Sequence, residues 1–180
     1  MTTAIGTETK TVPLTLTVNE ETQKVGEALS HVLADTFTLY LKTHNFHWNV
    51  VGPMFPALHP MFEAQYNELW LAGDALAERI RAIGSNAPGS YTEFSKLTYL
   101  REPEAGPSAT EMIAELLRDH ETSARTVRWA LSVARWTLDA PTEDLLTQRL
   151  IAHEKAAWML RSTLTEERPV AIAQPIEAVA

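Results

Sequence analysis

The chain of 180 residues contains no cysteine, which excludes disulfides, zinc–thiolate sites, iron–sulfur clusters and cysteine nucleophiles together. It also lacks any apolar run long enough to span a membrane. Residues 1–12 carry Thr and Gly where a secretory signal would need a basic end and an apolar core. We therefore expect a cytoplasmic protein of one globular domain, for which 45% hydrophobic and 21% charged residues are ordinary values.

Positive charge is scarce as well. Against 23 Asp and Glu there are 15 Lys and Arg, and the formal net charge is −8. Nucleic-acid binding depends on Lys and Arg that neutralise phosphates, and neither end of the chain supplies them. Lys10 is balanced by Glu8, and Arg168 is outnumbered by three glutamates within residues 166–180. DNA binding is therefore not expected, whereas an acidic surface suits the attraction of metal cations.

Residues that start and end helices divide the chain into long segments with apolar residues at helical spacing. Asn19 before two glutamates and the capping box Ser108–Glu111 mark two helix starts, and Gly84 marks an end. The pattern predicts an all-α four-helix bundle over residues 20–165, with long helices at 20–49, 57–83, 109–137 and 141–165 and a short one at 92–98. Pro60 is placed in the first turn of the second helix, where proline is tolerated. Residues 1–19 are predicted to be an extended arm or short strand, and residues 166–180 a poorly ordered tail.

Possible metal ligands are concentrated in the segment 47–78. Imidazoles and carboxylates without a thiolate form a ligand set that iron accepts. If residues 57–83 form one helix, its four candidates share one face, within about 100° around the axis. They form two i, i+4 pairs that are separated by roughly 16 Å. The candidates are His47, His59, Glu63, Asp74 and Glu78.

No single ion bridges that separation, but an antiparallel copy of the same helix would bring the Asp74/Glu78 end of one subunit to the His59/Glu63 end of its mate. The spacing therefore predicts two identical sites in each two-fold dimer. The Glu-x-x-His motif of sites built within one bundle is absent; His153 and Glu154 are adjacent and not three residues apart. That absence favours the intersubunit arrangement.

A structural interpretation stays open beside this one. A single His or Glu on a helix is usually solvated or hydrogen-bonded, and i, i+4 carboxylates are common on exposed faces. With five metal-type residues on an otherwise apolar face, however, a purely structural interpretation would require the burial of uncompensated carboxylates, which is costly. His44, one turn before His47, is either an auxiliary ligand or a core or surface residue.

The stretch H-W-N-x-x-G-x-x-F-x-x-L-H, followed by an acid four residues on and then by D-x-x-x-E-R, resembles the Dps proteins. These are mini-ferritins named as DNA-binding proteins from starved cells. The resemblance covers residues 20–165 and is concentrated in 47–79. It implies a ferritin-like fold and a hollow dodecameric cage with ferroxidase sites at the two-fold interfaces. One subunit would supply His47, His59 and Glu63, and its mate Asp74 and Glu78.

Glu63 and Trp48 are two positions at or near the implied site. Glu63 stands where Dps proteins usually carry Asp, and its extra methylene is expected to change the affinity for the second iron. Trp48 resembles the family's tryptophan beside the site, which can intercept oxidising radicals; a core aromatic is the alternative. His31, His120 and His153 are predicted to be structural or surface residues.

The implied reaction oxidises Fe²⁺ with hydrogen peroxide, two electrons at a time, and stores Fe³⁺ as mineral in the cage. Iron would enter through three-fold pores near the start of the last helix, where Asp139, Glu143 and Asp144 lie, although acids are favoured at any helix start. Two other functions stay open. One is a DNA-coating protective protein with little ferroxidase turnover. The other is a structural cage that holds another divalent ion such as Zn²⁺, which binds such ligands more tightly than Fe²⁺.

Overall fold

The first long helix, α1, spans Glu20–Asn49 and begins where the sequence predicts. The Asn19 side chain accepts a hydrogen bond from the Thr22 amide, and the Thr22 hydroxyl accepts one from the Asn19 amide, which closes a capping box. This computed structural model describes residues 19–102 and 106–165. Apart from Asn19, the predicted arm and tail lie outside those residues.

The second helix, α2, spans Phe55–Ala82 and begins two residues before the predicted start. Pro56 occupies its first turn, where amides need no helical partner. Pro60 therefore lies inside the helix, so the prediction that placed it in the first turn is wrong; the helix continues past it at the loss of one backbone hydrogen bond. The helix ends at Ala82, one residue before the predicted end, and Gly84 follows as the predicted C′ residue, with a φ of 89° that favours glycine.

Three further helices complete the fold: α3 (Tyr91–Leu97), α4 (Ala109–Trp136) and α5 (Ala140–Leu164). Ser90 and Ser108 each form a capping box with the glutamate three residues on, and the Asp139 side chain accepts from the Thr142 amide at 3.2 Å. No strand occurs between residues 19–102 or 106–165. The predicted bundle of four long helices with a short one in the connection is confirmed.

Apolar side chains from the four long helices form two clusters along the bundle. One contains Leu29, Leu76 and Val127, and the other contains Phe46 and Phe62. The α1 helix packs against α2 and α4, and α4 packs against α5. The end of α1 and the start of α2 meet in the second cluster, and this contact positions the candidate metal ligands.

Ionic contacts fix how the helices align. Lys42 on α1 is almost fully buried and lies 2.7 Å from a carboxylate oxygen of both Glu115 and Asp119 on α4. Arg149 on α5 pairs with Glu68 on α2. Buried charges need partners, so each of these contacts specifies one register between two helices.

Much aromatic surface is left outside the core of a single chain. All five tryptophans are between 44% and 64% exposed. Exposed apolar surface on this scale is typical of chains that associate with other copies or partners. Across residues 19–102 and 106–165, none of the helices has the length and apolar character needed to cross a membrane.

Candidate metal centre

Two imidazoles are held face to face where the last turn of α1 crosses the start of α2. The ring centroids of His47 and His59 are 3.8 Å apart, and the ring planes differ by 21°. The Nδ1 of His47 lies 2.9 Å from the carbonyl oxygen of His59, and the Nδ1 of His59 lies 3.0 Å from the carbonyl oxygen of His47. Each residue thus fixes the ring of the other.

This reciprocal bonding decides the tautomer of both rings. A carbonyl oxygen only accepts, so Nδ1 of each ring carries the proton and donates it. In a neutral imidazole the other nitrogen, Nε2, then carries the lone pair that can bind a metal. Metal-binding histidines usually have their second nitrogen anchored in this way, which sets orientation before the metal arrives. His47 is buried and His59 is half-buried.

The three candidate carboxylates lie on the unbroken α2 helix and are exposed in the single chain: Glu63, Asp74 and Glu78. The continuous helix meets the condition on which the spacing argument depends. Between Glu63 and Asp74 the helix rises by roughly 16 Å. Within the described part of one chain, no group of three or more His, Asp or Glu residues could hold a metal ion. One chain therefore presents a fixed pair of imidazoles and, separately, solvated carboxylates.

Aromatic rings surround the imidazole pair. His44 stacks on Tyr66, with ring centroids 3.9 Å apart, and its Nδ1 lies 3.2 Å from the Tyr40 hydroxyl. Burial, and then the neighbouring charge of His47, lower the pKa of His44. His44 therefore packs within an aromatic cluster and, among the residues that the structure describes, belongs to no group of three possible ligands. Trp48 lies 4.2 Å from the His44 ring and is 62% exposed, so it is not a core aromatic of the single chain.

The three acids near the start of α5 have different surroundings. Asp139 caps the helix and pairs with Arg79 at 2.6 Å. Burial raises the pKa of Asp139, but hydrogen bonds from Arg79 and Thr142 outweigh it and hold the pKa below its usual value. Glu143 pairs with Arg135 at 2.8 Å. Asp144 is exposed and accepts only an amide hydrogen bond among the contacts of the described residues, so none of their Lys or Arg side chains pairs with it.

The other histidines have structural surroundings. The Nδ1 of His31 lies 2.7 Å from the Leu97 carbonyl oxygen, where it fixes the end of α3 against α1. His120 and His153 are buried between α4 and α5, with their Nδ1 atoms 3.1 Å apart. Burial lowers the pKa of His120 to about 3 and that of His153 well below its usual value.

Sequence reasoning did not single out Tyr40 and Tyr66 as neighbours of the site. Tyr40 precedes His47 by seven residues and Tyr66 follows His59 by seven, which places each on the same face of its helix as the histidine. This spacing could have identified them. The buried pairing of Lys42 with two acids of α4 was also missed, because it joins residues more than 70 positions apart.

Comparisons with known proteins place the chain in a family. A model of the ferritin-like domain matches residues 26–169. DNA protection during starvation protein 2 of Bacillus anthracis is 35% identical over 144 residues, covering 80% of this chain and 99% of that protein. The crystal structure of Dps from Staphylococcus aureus matches with a TM-score of 0.79 and 36% identity, over 84% of this chain and 100% of that one.

A Dps protein of Vibrio cholerae O1, described as a member of a broad superfamily of ferritin-like diiron-carboxylate proteins, matches with a TM-score of 0.77 and 30% identity. It covers 81% of this chain and 91% of its own. The matched residues 26–169 span nearly the whole bundle. The chain belongs to the Dps family of ferritin-like proteins.

Proposed function

We propose that this protein oxidises ferrous iron at sites shared by two subunits and stores the ferric product inside a homododecameric cage. The observation that carries the proposal is the His47–His59 pair, whose reciprocal hydrogen bonds leave both Nε2 lone pairs available. Family membership supports iron as the substrate, since the Vibrio cholerae relative is described as a diiron-carboxylate protein. The exposed tryptophans support association into a larger assembly.

In this proposal the mate subunit supplies Asp74 and Glu78, which are too far along α2 to reach the imidazoles of their own chain. Glu63, one turn after His59, is the remaining ligand. Two-fold symmetry makes the contact reciprocal, so each dimer carries two equivalent sites. Carboxylates that are solvated in one chain become ligands only on association, which avoids burying unpaired charge within the subunit.

The substrate chemistry follows from the ligands. Neutral imidazoles and ionised carboxylates bind Fe²⁺, and oxygen-rich ligation favours Fe³⁺. Two ferrous ions at one site deliver both electrons that hydrogen peroxide needs to become water, so no hydroxyl radical is released. Trp48, which follows His47 in the chain and is exposed, would intercept oxidising radicals that escape. The outcome would be protection of the cell from iron and peroxide together.

Iron would reach the cavity through three-fold pores lined by the acids at the start of α5. Asp144 is the strongest candidate for this role, because Asp139 and Glu143 are already paired with arginines. Zn²⁺ binds such ligands more tightly than Fe²⁺ and is expected to occupy the oxidation site and inhibit it.

Mixed assemblies test the intersubunit site directly. One variant, His47→Ala/His59→Ala, keeps the carboxylates; the other, Asp74→Ala/Glu78→Ala, keeps the imidazoles. Each variant alone should be inactive. Co-expression in equal amounts gives heterodimers in about half of the dimers, and one of the two sites in each heterodimer is intact, so about a quarter of the wild-type sites return.

The assay loads Fe²⁺ without oxygen, adds hydrogen peroxide and follows the absorbance of Fe³⁺ against air alone. Equal mixing of the two variants is verified by mass spectrometry. Recovery of activity in the mixture supports the shared site. If the mixture stays as inactive as its components, the ligands do not come from two subunits, and wild-type rates in either single variant mean that these residues are not the site.

The name of the Bacillus anthracis relative, DNA protection during starvation protein 2, raises the alternative of a protein that coats DNA with little ferroxidase turnover. The net charge of −8 opposes it, because phosphate binding needs Lys and Arg. A gel-shift titration at low and physiological salt separates the two functions. DNA retained at physiological salt would favour the alternative, and no shift at either salt would favour iron oxidation.

A further inference from the structure

A groove lined by aromatic rings runs between the first turns of α1 and the last turns of α4. We call it the α1/α4 groove, and it has a volume of about 470 Å³. Its walls include Lys24 and His31 of α1, Trp129 and Trp136 of α4, and Tyr99 of the connection before α4. The three aromatic side chains are between 44% and 64% exposed. Clustered aromatic surface of this kind is typical of a site that another segment covers.

Contacts across the groove occur at two levels along α1. At the first level the Lys24 Nζ lies 4.9 Å from the centroid of the Trp136 ring. At the second level the His31 ring stacks on Tyr99, with centroids 5.2 Å apart, and meets Trp129 edge-on at 5.6 Å. The two levels are seven residues apart on each helix, or roughly 10 Å. The groove therefore follows α1 for about two helical turns.

The sequence that directly precedes α1 has a pattern that complements this groove. Val12, Leu14, Leu16 and Val18 alternate with threonines and one proline. Successive side chains of an extended segment point to opposite sides, so this pattern gives one apolar face and one polar face. Residues 11–18 contain no charged side chain, so the apolar face can be buried without the cost of burying a charge.

The reach of this segment matches the position of the groove. Lys24 and His31 follow Asn19 by five and twelve residues, which places the two levels roughly 8 Å and 18 Å along α1. An extended chain rises by about 3.3 Å per residue, so two to three residues reach the first level and five to six reach the second. A segment that turns back before Asn19 and follows α1 therefore brings Leu16 to the first level and Leu14 to the second.

We propose that residues 12–18 bind in the α1/α4 groove of their own chain, with Leu14 and Leu16 against the two tryptophans and the threonines toward solvent. The bound segment covers the aromatic rings and links α1 to α4 at the end of the bundle where α1 begins. Because the segment is continuous with α1, its effective concentration at the groove is high and no separate partner has to be recruited. The inference does not depend on iron oxidation.

Disulfide cross-linking of the full-length assembled protein tests this, because the chain has no cysteine of its own. Ser132 is exposed and lines the groove between the two tryptophans. The test variant is Leu16→Cys/Ser132→Cys, and the matched control is Thr15→Cys/Ser132→Cys, which places the thiol on the opposite face of the segment. The test pair should form a disulfide within one chain at least about tenfold faster than the control, because the bond requires two Cβ atoms that face each other. Non-reducing electrophoresis and mass spectrometry of the cross-linked peptides measure the rates.

Acrylamide quenching of tryptophan fluorescence is a second test that needs no introduced thiol. Leu14→Ser/Leu16→Ser removes the apolar contacts and should increase quenching, whereas Thr15→Ser/Thr17→Ser, on the polar face, should leave it unchanged. Equal cross-linking rates in the two cysteine pairs, or equal quenching in the two serine variants, would overturn the proposal. Disulfides that join two chains would also overturn it, since the groove would then bind the segment of a neighbouring subunit.

Discussion

Lowering the pH from 7 to 5 is expected to destabilise this protein through the buried pair His120 and His153. Both rings are almost inaccessible, at 2% and 0% exposed, and their Nδ1 atoms share one hydrogen bond. Burial, with the charge of Arg149, lowers the pKa of His120 from 6.5 to about 3. Burial, with the charges of His120 and Arg149, lowers the pKa of His153 in the same direction.

The sign follows from proton linkage. Because the folded pKa is depressed, the native state stays unprotonated while the unfolded chain takes up protons below pH 6.5. The stability that the neutral pair contributes is therefore present above pH 6.5 and is lost progressively as the pH falls toward 3. For His120 the free energy of unfolding should fall by about 2 kcal/mol between pH 7 and pH 5. His153 adds a loss of the same sign.

Guanidinium denaturation followed by circular dichroism at several pH values measures this slope. The protein concentration is kept constant, because association contributes to apparent stability. The matched variant His120→Asn/His153→Asn keeps polar atoms near the Nδ1 positions but cannot titrate in this range. Buried carboxylates such as Asp35 and Asp119, whose pKa values burial raises, are common to both proteins. Equal slopes in the two proteins between pH 7 and 5 would refute the reasoning.

Three further perturbations have distinct expected outcomes. Lys42→Met leaves two largely buried carboxylates without their cation and should lower the free energy of unfolding by about 3 kcal/mol in chemical denaturation. Gly26→Ala places a Cβ 2.5 Å from the hydroxyl oxygen of Ser85 in the loop after α2, so this variant should lower the free energy of unfolding by about 1–3 kcal/mol. Gly73→Ala is its control: the nearest contact of the added Cβ is at 4.0 Å, so thermal unfolding should show neutral or slightly higher stability. Asp139→Asn should lower the free energy of unfolding by about 1 kcal/mol, because it weakens a helix cap and an ion pair. Asp144→Asn should leave the melting temperature unchanged and slow iron uptake in stopped-flow absorbance. Slower uptake in Asp139→Asn with normal uptake in Asp144→Asn would assign the iron entrance to Asp139 and not to Asp144.

The helices were largely predictable because their ends are determined locally. Asn19, Ser108 and Gly84 cap their helices as the sequence indicates. The predicted start of α2 at residue 57 left Pro56 outside the helix and put Pro60 in its first turn. Pro56 instead opens the first turn, and Pro60 is accommodated inside the helix, since the packing of Leu58 and Phe62 in the core outweighs one lost hydrogen bond.

The candidate site was only partly predictable. Residue types and spacing identified His47 and His59 and the carboxylates of α2. No local pattern could indicate that each imidazole donates to the backbone carbonyl of the other, because that depends on how closely the end of α1 crosses the start of α2. The same holds for the stacking of His44 on Tyr66, because it joins side chains of two different helices.

The two kinds of ligand are treated differently by the fold, and the difference has a thermodynamic consequence. His47 and His59 are fixed by the subunit itself, so the ordering of their rings costs nothing when a metal binds. Asp74 and Glu78 stay solvated in one chain and, in the proposed site, are ordered only by association. A metal that needs ligands from both subunits binds the dimer and not the separated chain. By linkage, the free energy by which bound metal stabilises the dimer equals the free energy by which dimerisation strengthens metal binding.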